Sequence, residues 1–202
     1  MSRHRTAIRD LEVQIREFVS HPPRQDRLLS DKPLWNILCS ALDVLGDTQL
    51  AVESYLALPE TDDTGTRYLL TYGILQVLFV QQDAVRHLLD VFELKYDTDP
   101  VLEAIREVRN KTTGHPASRP PRKSKHAEPS SHFLVRNSLR KGGYRLMTSY
   151  PERKPDFEDV DILELIVKQR AEVRTALEQI WAALNADDEC SAASGTIPEI
   201  ES

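Results

Sequence analysis

Cysteine and long apolar runs are both scarce in this sequence. Two of its 202 residues are cysteines, Cys39 in a helical pattern and Cys190 in a polar stretch. This usage predicts neither a disulfide framework nor a metal cluster, and it indicates a reducing compartment such as the cytoplasm. The longest nearly apolar run, from Tyr68 to Val80, is too short and too often interrupted to span a bilayer. The first residues carry no apolar signal segment, so we expect neither membrane insertion nor secretion.

Several short motifs of catalysis are absent as well. The sequence has no glycine-rich phosphate loop, no Cys-x-x-Cys pair and no Gly-x-Ser-x-Gly elbow, which excludes the classes of enzyme that those motifs define. No pair of carboxylates has a spacing typical of metal ligands, and the pairs Asp62, Asp63 and Asp159, Asp161 look like helix caps. We therefore expect no metal and no cofactor.

Charge is distributed unevenly along the chain. The net charge is -6, yet the stretch from Arg109 to Arg145 holds ten basic residues and a single acid, Glu128. Because the rest of the chain is strongly acidic, this asymmetry predicts a local positive field, for which phosphate is the usual partner. A solvated basic loop without a partner is the alternative.

Apolar periodicity predicts a mainly α fold. Residues at three- and four-residue spacing indicate helices over 4–19, from an Asp31 cap to Pro59, from Thr61–Gly65 to Leu94, from a cap at Thr98 or Asp99 to Thr113–Pro116, and from Val160 to Asn185. The period changes to two at 132–136 and 144–148, around Gly142 and Gly143, which predicts a β-hairpin. The fold class is thus a helical bundle of four to five helices with a small β-hairpin inserted before the last helix. We predict one domain over 1–186, with a basic loop and the hairpin inserted at 114–150, and a disordered acidic tail over 187–202.

The segment from Ile105 to Pro116 resembles the signature of HEPN (higher eukaryotes and prokaryotes nucleotide-binding) ribonucleases. That motif is an arginine, four to six residues and a histidine, usually with a polar residue directly after the arginine. Here Asn110 follows Arg109, and five residues separate Arg109 from His115. The segment also closes a helix that follows a long central helix, as it does in the family.

The resemblance implies a metal-independent endoribonuclease, a hydrolase that works as a homodimer with both motifs meeting across a cleft. It also implies products that end in a 2′,3′-cyclic phosphate. We expect His115 to transfer protons, since imidazole titrates near neutral pH, and Arg109 to bind phosphate. Asn110 would orient substrate through its amide. RNA is the expected substrate, and a toxin or defence effector, with an antitoxin protein as a further partner, is the expected biological role.

Further residues are expected to bind substrate or to support the motif. The basic residues expected to contact the substrate are Lys111, Arg119, Arg122, Lys123 and Lys125. The polar residues Gln76, Gln81, Gln82 and Asp83 are predicted either to support the motif by hydrogen bonds or to form an ordinary interhelical or solvent contact. The hairpin at 132–148, with Arg136, Arg140, Lys141 and Arg145, would shape the rim of the cleft or cover an apolar edge of the bundle.

Two other functions remain open at this point. The chain is alternatively a non-catalytic helical module that binds RNA, a nucleotide or a protein through its basic segment. It is also consistent with a structural protein in which Gly114 and Pro116 only end a helix, with Arg109 and His115 stabilising that end.

Overall fold

The computed structural model describes residues 7–95, 99–114 and 129–194. Within these residues the chain forms six α-helices and one three-stranded antiparallel sheet. The helices are α1 (Ala7–Val19), α2 (Pro22–Leu29), α3 (Lys32–Ala57), α4 (Thr64–Val91), α5 (Pro100–Arg109) and α6 (Ile162–Ser194). The strands are β1 (Ser131–Leu134), β2 (Gly143–Ser149) and β3 (Asp156–Asp161). The predicted class, mainly α with a small β insertion before the last helix, is confirmed.

Aspartate caps begin the central helices where the sequence places them. The side chains of Asp31, Asp63 and Asp99 accept backbone N–H groups of the following turn at 3.0, 2.7 and 2.6 Å. Each bond satisfies one of the N–H groups that a helix start leaves without an intrahelical partner. Pro100, directly after the third cap, suits the first helical position because its missing N–H is not needed there. These three predicted starts are therefore confirmed.

The short helix α2 is a difference from the prediction. The first helix ends at Val19 as predicted, but Pro22 then begins a helix in a stretch for which the sequence predicted none. Proline breaks a helix when it lies in the interior and is well accommodated in the first turn. The two prolines at positions 22 and 23 therefore prevent α1 from continuing and begin α2. The guanidinium of Arg24 lies 3.6 Å from the centre of the Phe18 ring, which ties α2 to α1.

The strand β3 is a second difference, since the prediction contained only the hairpin β1–β2. Four of its six residues are acidic and only Val160 is buried, a composition with low strand propensity. Its pairing with β2 is a tertiary effect. Because β3 extends to Asp161, the last helix begins at Ile162 and not at Val160 as predicted. Asp161 nevertheless caps that helix, because its carboxylate accepts the N–H of Glu164 at 2.9 Å.

The last helix also extends further than predicted. It continues past Asn185 to Ser194, into the stretch assigned to an acidic tail. No proline or glycine interrupts the chain between Ile162 and Ser194, and alanine and glutamate in this part favour a helix. Residues 195–202 lie outside the described residues.

The chain divides into two compact units, and each unit contains part of α3, α4 and α6. The first unit contains the start of α3, the end of α4, the later part of α6, and α1. Its core is built from side chains with almost no exposed surface, including Ile15, Leu38, Leu42, Leu45, Leu88, Leu89, Leu177 and Ile180. Phe18 and Trp181 meet edge to face at 5.6 Å at the border of this core.

The second unit contains residues 47–83 and 97–172, and therefore the motif helix α5 and the sheet. Its buried apolar side chains come from α3, α4, α5, α6 and the sheet, and include Leu75, Leu78, Ile105, Leu146, Ile162 and Ile166. None of the helices in the described ranges has both the length and the hydropathy needed to cross a membrane.

Candidate functional site

Arg109, the last residue of α5, is held by two neighbouring amides. Its Nε and Nη2 both donate hydrogen bonds to Oε1 of Gln76, at 3.1 and 2.7 Å. Its Nη1 donates to Oδ1 of Asn110 at 3.1 Å, and the guanidinium carbon lies 4.5 Å from the centre of the Phe79 ring. Gln76 and Phe79 belong to α4, so the helix packing of this unit fixes the direction of the Arg109 side chain.

The partners of Arg109 are electrically neutral. Within the described residues no carboxylate forms a hydrogen bond or an ion pair with Arg109. A guanidinium has five N–H groups, and these contacts engage three of them. Arg109 therefore keeps its full positive charge and two N–H groups with which it can bind an anion.

Arg106, one turn earlier on α5, has the opposite environment. Its Nε donates to Oε1 of Gln82 at 2.8 Å, and its Nη2 is 2.5 Å from Oδ1 of Asp83. Its guanidinium carbon lies 4.4 Å from the centre of the same Phe79 ring. The carboxylate of Asp83 offsets the charge of Arg106, so this arginine links α5 to α4 and is a poor candidate for binding an anion.

A buried chain of glutamines continues from Arg106 into the unit. Nε2 of Gln82 donates to Oε1 of Gln169 at 2.8 Å. Nε2 of Gln169 in turn lies 2.9 Å from both the carbonyl of Leu78 and Oε1 of Gln81. The polar residues of α4 thus fulfil both predicted roles. Gln76, Gln82 and Asp83 support the motif helix, while Gln81 and Gln82 form an interhelical contact with α6.

Residues Asn110–Gly114 form a π-helical turn directly after α5. The hydroxyl of Thr112, which is fully buried, donates to the carbonyl of Val108 at 2.7 Å and also forms a hydrogen bond with the hydroxyl of Tyr144. The hydroxyl of Thr113 donates to the carbonyl of Arg109 at 3.0 Å. Turns of this kind occur often at functional sites, and this turn contains the motif residues that follow Arg109.

Tyr144 was not among the predicted site residues. It lies on β2 and contacts the motif through Thr112, and burial raises the pKa of its hydroxyl well above the usual range, so that it stays protonated. A buried tyrosine in an alternating strand carries no sequence signal that separates a motif contact from ordinary packing. Only the folded chain brings these residues together.

The sheet reduces the positive field that the sequence predicts around the motif. Nζ of Lys111 lies 3.5 Å from a carboxylate oxygen of Glu158 on β3. The guanidinium of Arg145 binds both carboxylate oxygens of Asp159, at 2.8 and 3.0 Å. The basic stretch ends at Arg145, and the acids that compensate part of it follow later in the chain. Lys111 is thus half of an ion pair.

Lys141 of the hairpin has a structural role at the end of α3. Its ammonium group donates to the carbonyls of Leu56, at 3.0 Å, and Leu58. Its backbone N–H lies 3.1 and 3.3 Å from the two carboxylate oxygens of Glu60. A cation at the last carbonyls of a helix is favourable, so Lys141 stabilises the C-terminal end of α3.

An open groove of about 790 Å³ runs along α5 beside Arg109. Its lining includes Phe79, Arg106, Arg109, Asn110 and the acidic side chains of Glu103 and Glu107. Since Arg106 is paired with Asp83, Arg109 is the cation of this lining that has only neutral partners among the described residues. Arg109 therefore marks the position in the groove where an anion is best accommodated.

Part of the predicted site lies outside the described residues. These positions are His115, Arg119, Arg122, Lys123 and Lys125. Of the predicted catalytic residues, Arg109 and Asn110 are brought together, and Lys111 lies beside them with Glu158 as its partner. Across residues 7–95, 99–114 and 129–194, no group of three or more His, Cys, Asp or Glu side chains is arranged to hold a metal ion.

No family model, no curated protein and no solved structure matches this chain.

Proposed function

We propose that this protein is a metal-independent endoribonuclease of the HEPN kind, which cleaves RNA through attack of a 2′-hydroxyl on the adjacent phosphate. The observation that supports this most directly is the environment of Arg109. Its guanidinium is held at a groove by Gln76 and Asn110 and keeps its full charge. His115 follows six positions later, at the spacing of the family motif.

The proposed reaction needs two proton transfers and one cationic contact. A base removes the proton of the 2′-hydroxyl, the 2′-oxygen attacks phosphorus, and the bond from phosphorus to the 5′-oxygen breaks. An acid gives its proton to the leaving 5′-oxygen, and the products are a 2′,3′-cyclic phosphate and a 5′-hydroxyl. His115 serves as one of the two proton-transfer groups, and in a homodimer the second copy supplies the other.

Arg109 and Asn110 have separate roles in this proposal. The two remaining N–H groups of Arg109 bind the non-bridging oxygens, on which negative charge grows in the transition state. Oδ1 of Asn110 is engaged by Arg109, which leaves the amide NH₂ of Asn110 as a donor to substrate. The proposed biological role is that of a toxin or defence effector, with an antitoxin as its partner.

The test is incubation of purified protein with mixed RNA in the presence of a chelator. We expect the parent to release fragments with cyclic phosphate ends, and Arg109→Ala or His115→Ala to lower the rate by about 100-fold or more. Arg174→Ala is the matched control, because this exposed arginine pairs with Glu178 on its own helix and lies outside the motif. Cleavage by both motif variants at the parent rate would refute the proposal.

A second candidate function is a non-catalytic module that binds RNA, a nucleotide or a protein. The ion pairs of Arg106 with Asp83 and of Lys111 with Glu158 favour it, because they leave Arg109 as an isolated phosphate contact. This candidate predicts salt-sensitive binding without product. Substitution of the basic residues from Arg119 to Lys125 would then weaken binding more than substitution of His115.

A further inference from the structure

The three strands carry an exposed row of apolar side chains. Phe133 pairs with Met147, and Met147 pairs with Phe157, so the three residues lie directly opposite one another across the sheet. Phe133 is 46% exposed and Phe157 is 57% exposed. Since alternate residues of a strand point to opposite faces, Arg145 and Asp159 share this face, which we call the outer face.

The hydrophobic core does not account for this row. The opposite face of the sheet, with Tyr144, Leu146 and Val160, supplies the buried side chains. Two phenylalanine rings left half exposed on the two edge strands cost free energy of solvation, which makes this row a candidate binding surface.

The acidic residues of the sheet are already engaged. All four acids of β3 have partners within the described part of the chain: Asp156 with Arg153, Glu158 with Lys111, Asp159 with Arg145, and Asp161 with the N-terminus of α6. The acidic composition of β3 therefore leaves little free negative charge on the outer face to repel an anion.

The connection between β1 and β2 adds positive charge that forms no ion pair within the described residues. Arg136 and Arg140 are exposed, and neither forms an ion pair with a described residue. Arg140 and Arg145 line a small pocket of about 250 Å³ at the hairpin end of the sheet, together with Asp159 and Asp161. Asp159 binds Arg145, and the charge of Arg140 helps to lower the pKa of Asp159, so Arg136 is the cation here that is furthest from compensation. The loop between β2 and β3 contributes three exposed charges, Glu152, Lys154 and Arg153, the last of which pairs with Asp156. The charge that the β1–β2 connection adds at the hairpin end of the sheet is thus positive.

We propose that the outer face binds single-stranded RNA, with bases stacked on Phe133 and Phe157 and phosphates held by Arg136 and Arg140. The two rings are two strands apart, about 10 Å, so each can receive its own base on either side of Met147. Every base has a π-face, so this recognition tolerates sequence, and it requires unpaired bases. The choice of RNA rests on the proposed function, for which this face supplies the binding of substrate.

The charge pattern favours RNA over a protein partner for this face. A protein partner that covered the rings would also need acidic side chains placed opposite Arg136 and Arg140. A nucleic acid brings base faces and phosphates together on one strand. The two alternatives respond differently to substitution. Leucine keeps the apolar surface that a protein contact needs and removes the aromatic face that a base needs.

The test is fluorescence anisotropy of a labelled oligouridine on the order of ten nucleotides, titrated with the full chain carrying His115→Ala so that RNA is not consumed. We expect Phe133→Leu and Phe157→Leu each to weaken binding by about fivefold or more, and Phe133→Tyr and Phe157→Tyr each to keep the affinity of the parent. Val167→Ala is the control, because this side chain is 67% exposed and belongs to helix α6, not to the sheet. Arg136→Gln with Arg140→Gln should reduce the slope of log Kd against log salt by about 1.4.

Three outcomes would overturn the proposal. One is a leucine double variant that binds the oligouridine as tightly as its parent, and another is a tyrosine variant that loses as much affinity as the leucine variant. The third is a change of oligomeric state in sedimentation, with RNA affinity unchanged, which would assign the face to a protein contact. Cleavage by the unaltered chain is measured separately, so a chain that binds through the rings and never cleaves refutes the nuclease alone.

Discussion

Gln76 binds Arg109 through one side-chain oxygen that accepts both Nε and Nη2 of the guanidinium, at 3.1 and 2.7 Å. An aspartate or glutamate at this position would hold the same side chain and cancel its charge, as Asp83 does for Arg106. An amide gives the orientation without the neutralisation. The chemistry proposed for Arg109 therefore depends on residue 76 as much as on the motif.

Gln76→Glu tests this dependence. The substitution preserves the size of the side chain and both hydrogen bonds, and it adds a negative charge next to the guanidinium. We expect RNA cleavage to fall by roughly tenfold or more, since a charge-assisted bond to phosphate is replaced by an internal ion pair. The measurement is the cleavage rate of Gln76→Glu beside Gln14→Glu, the same change at an exposed position of α1. Equal rates in these two variants would remove the role assigned to Gln76.

The buried glutamine network predicts a loss of stability in Gln169→Leu. This substitution leaves the carbonyl of Leu78, Oε1 of Gln81 and Nε2 of Gln82 without their present partner. We expect the free energy of unfolding to fall by about 2 kcal/mol or more, because buried polar groups lose their hydrogen bonds. Urea denaturation measures this change. Gln179→Leu, on the exposed side of the same helix, should change stability by less than about 0.5 kcal/mol.

Gly143 determines how closely β2 approaches β3. A Cβ at this position would overlap the carbonyl oxygen of Val160, so Gly143→Ala should push the two strands apart. We expect a loss of about 2 kcal/mol in the free energy of unfolding, typical of added volume in a packed site. Gly73→Ala is the opposite case, since a Cβ there meets open space within α4. It should stabilise the protein by about 0.5–1 kcal/mol.

Stability at alkaline pH should depend on Tyr55. Burial, together with the charge of Glu60, raises the pKa of Tyr55 to about 12, and its hydroxyl donates to the carbonyl of Lys141. An unfolded tyrosine has a pKa of about 10. Below pH 10 both states keep the proton, so the contribution of this group is complete there. Between pH 10 and 12 the unfolded state loses the proton first, and the free energy of unfolding falls.

Denaturation of Tyr55→Phe and of the parent at several alkaline pH values measures this effect. Phenylalanine has no proton to lose, so we expect a shallower fall in the variant, by about 2 kcal/mol at pH 12. Tyr144, whose pKa burial also raises, causes part of the fall in both proteins. Only the difference between the two plots of unfolding free energy against pH is due to Tyr55. Identical slopes in the parent and the variant would contradict the role given to this tyrosine.

The sequence supports the helical part of the fold better than the sheet. Asp31, Asp63 and Asp99 are recognisable as caps because each acts on the turn that follows it. Strand β3 is not recognisable, because its acids become compatible with a sheet only when Lys111, Arg145 and Arg153 arrive as partners. Local effects can be inferred from local sequence, and pairing between distant segments cannot.

The same division applies to the candidate site. By itself the sequence determined the mainly α class and the helix starts at Asp31, Asp63 and Asp99, and it singled out the segment that holds Arg109, Asn110 and His115, because periodicity, capping and motif spacing act over a few residues. Only the tertiary structure decided that Gln76 meets Arg109 across 33 positions, and that Phe133 and Phe157 share one face. Such contacts arise when packed helices and paired strands bring distant side chains together. No local pattern specifies which side chains will meet.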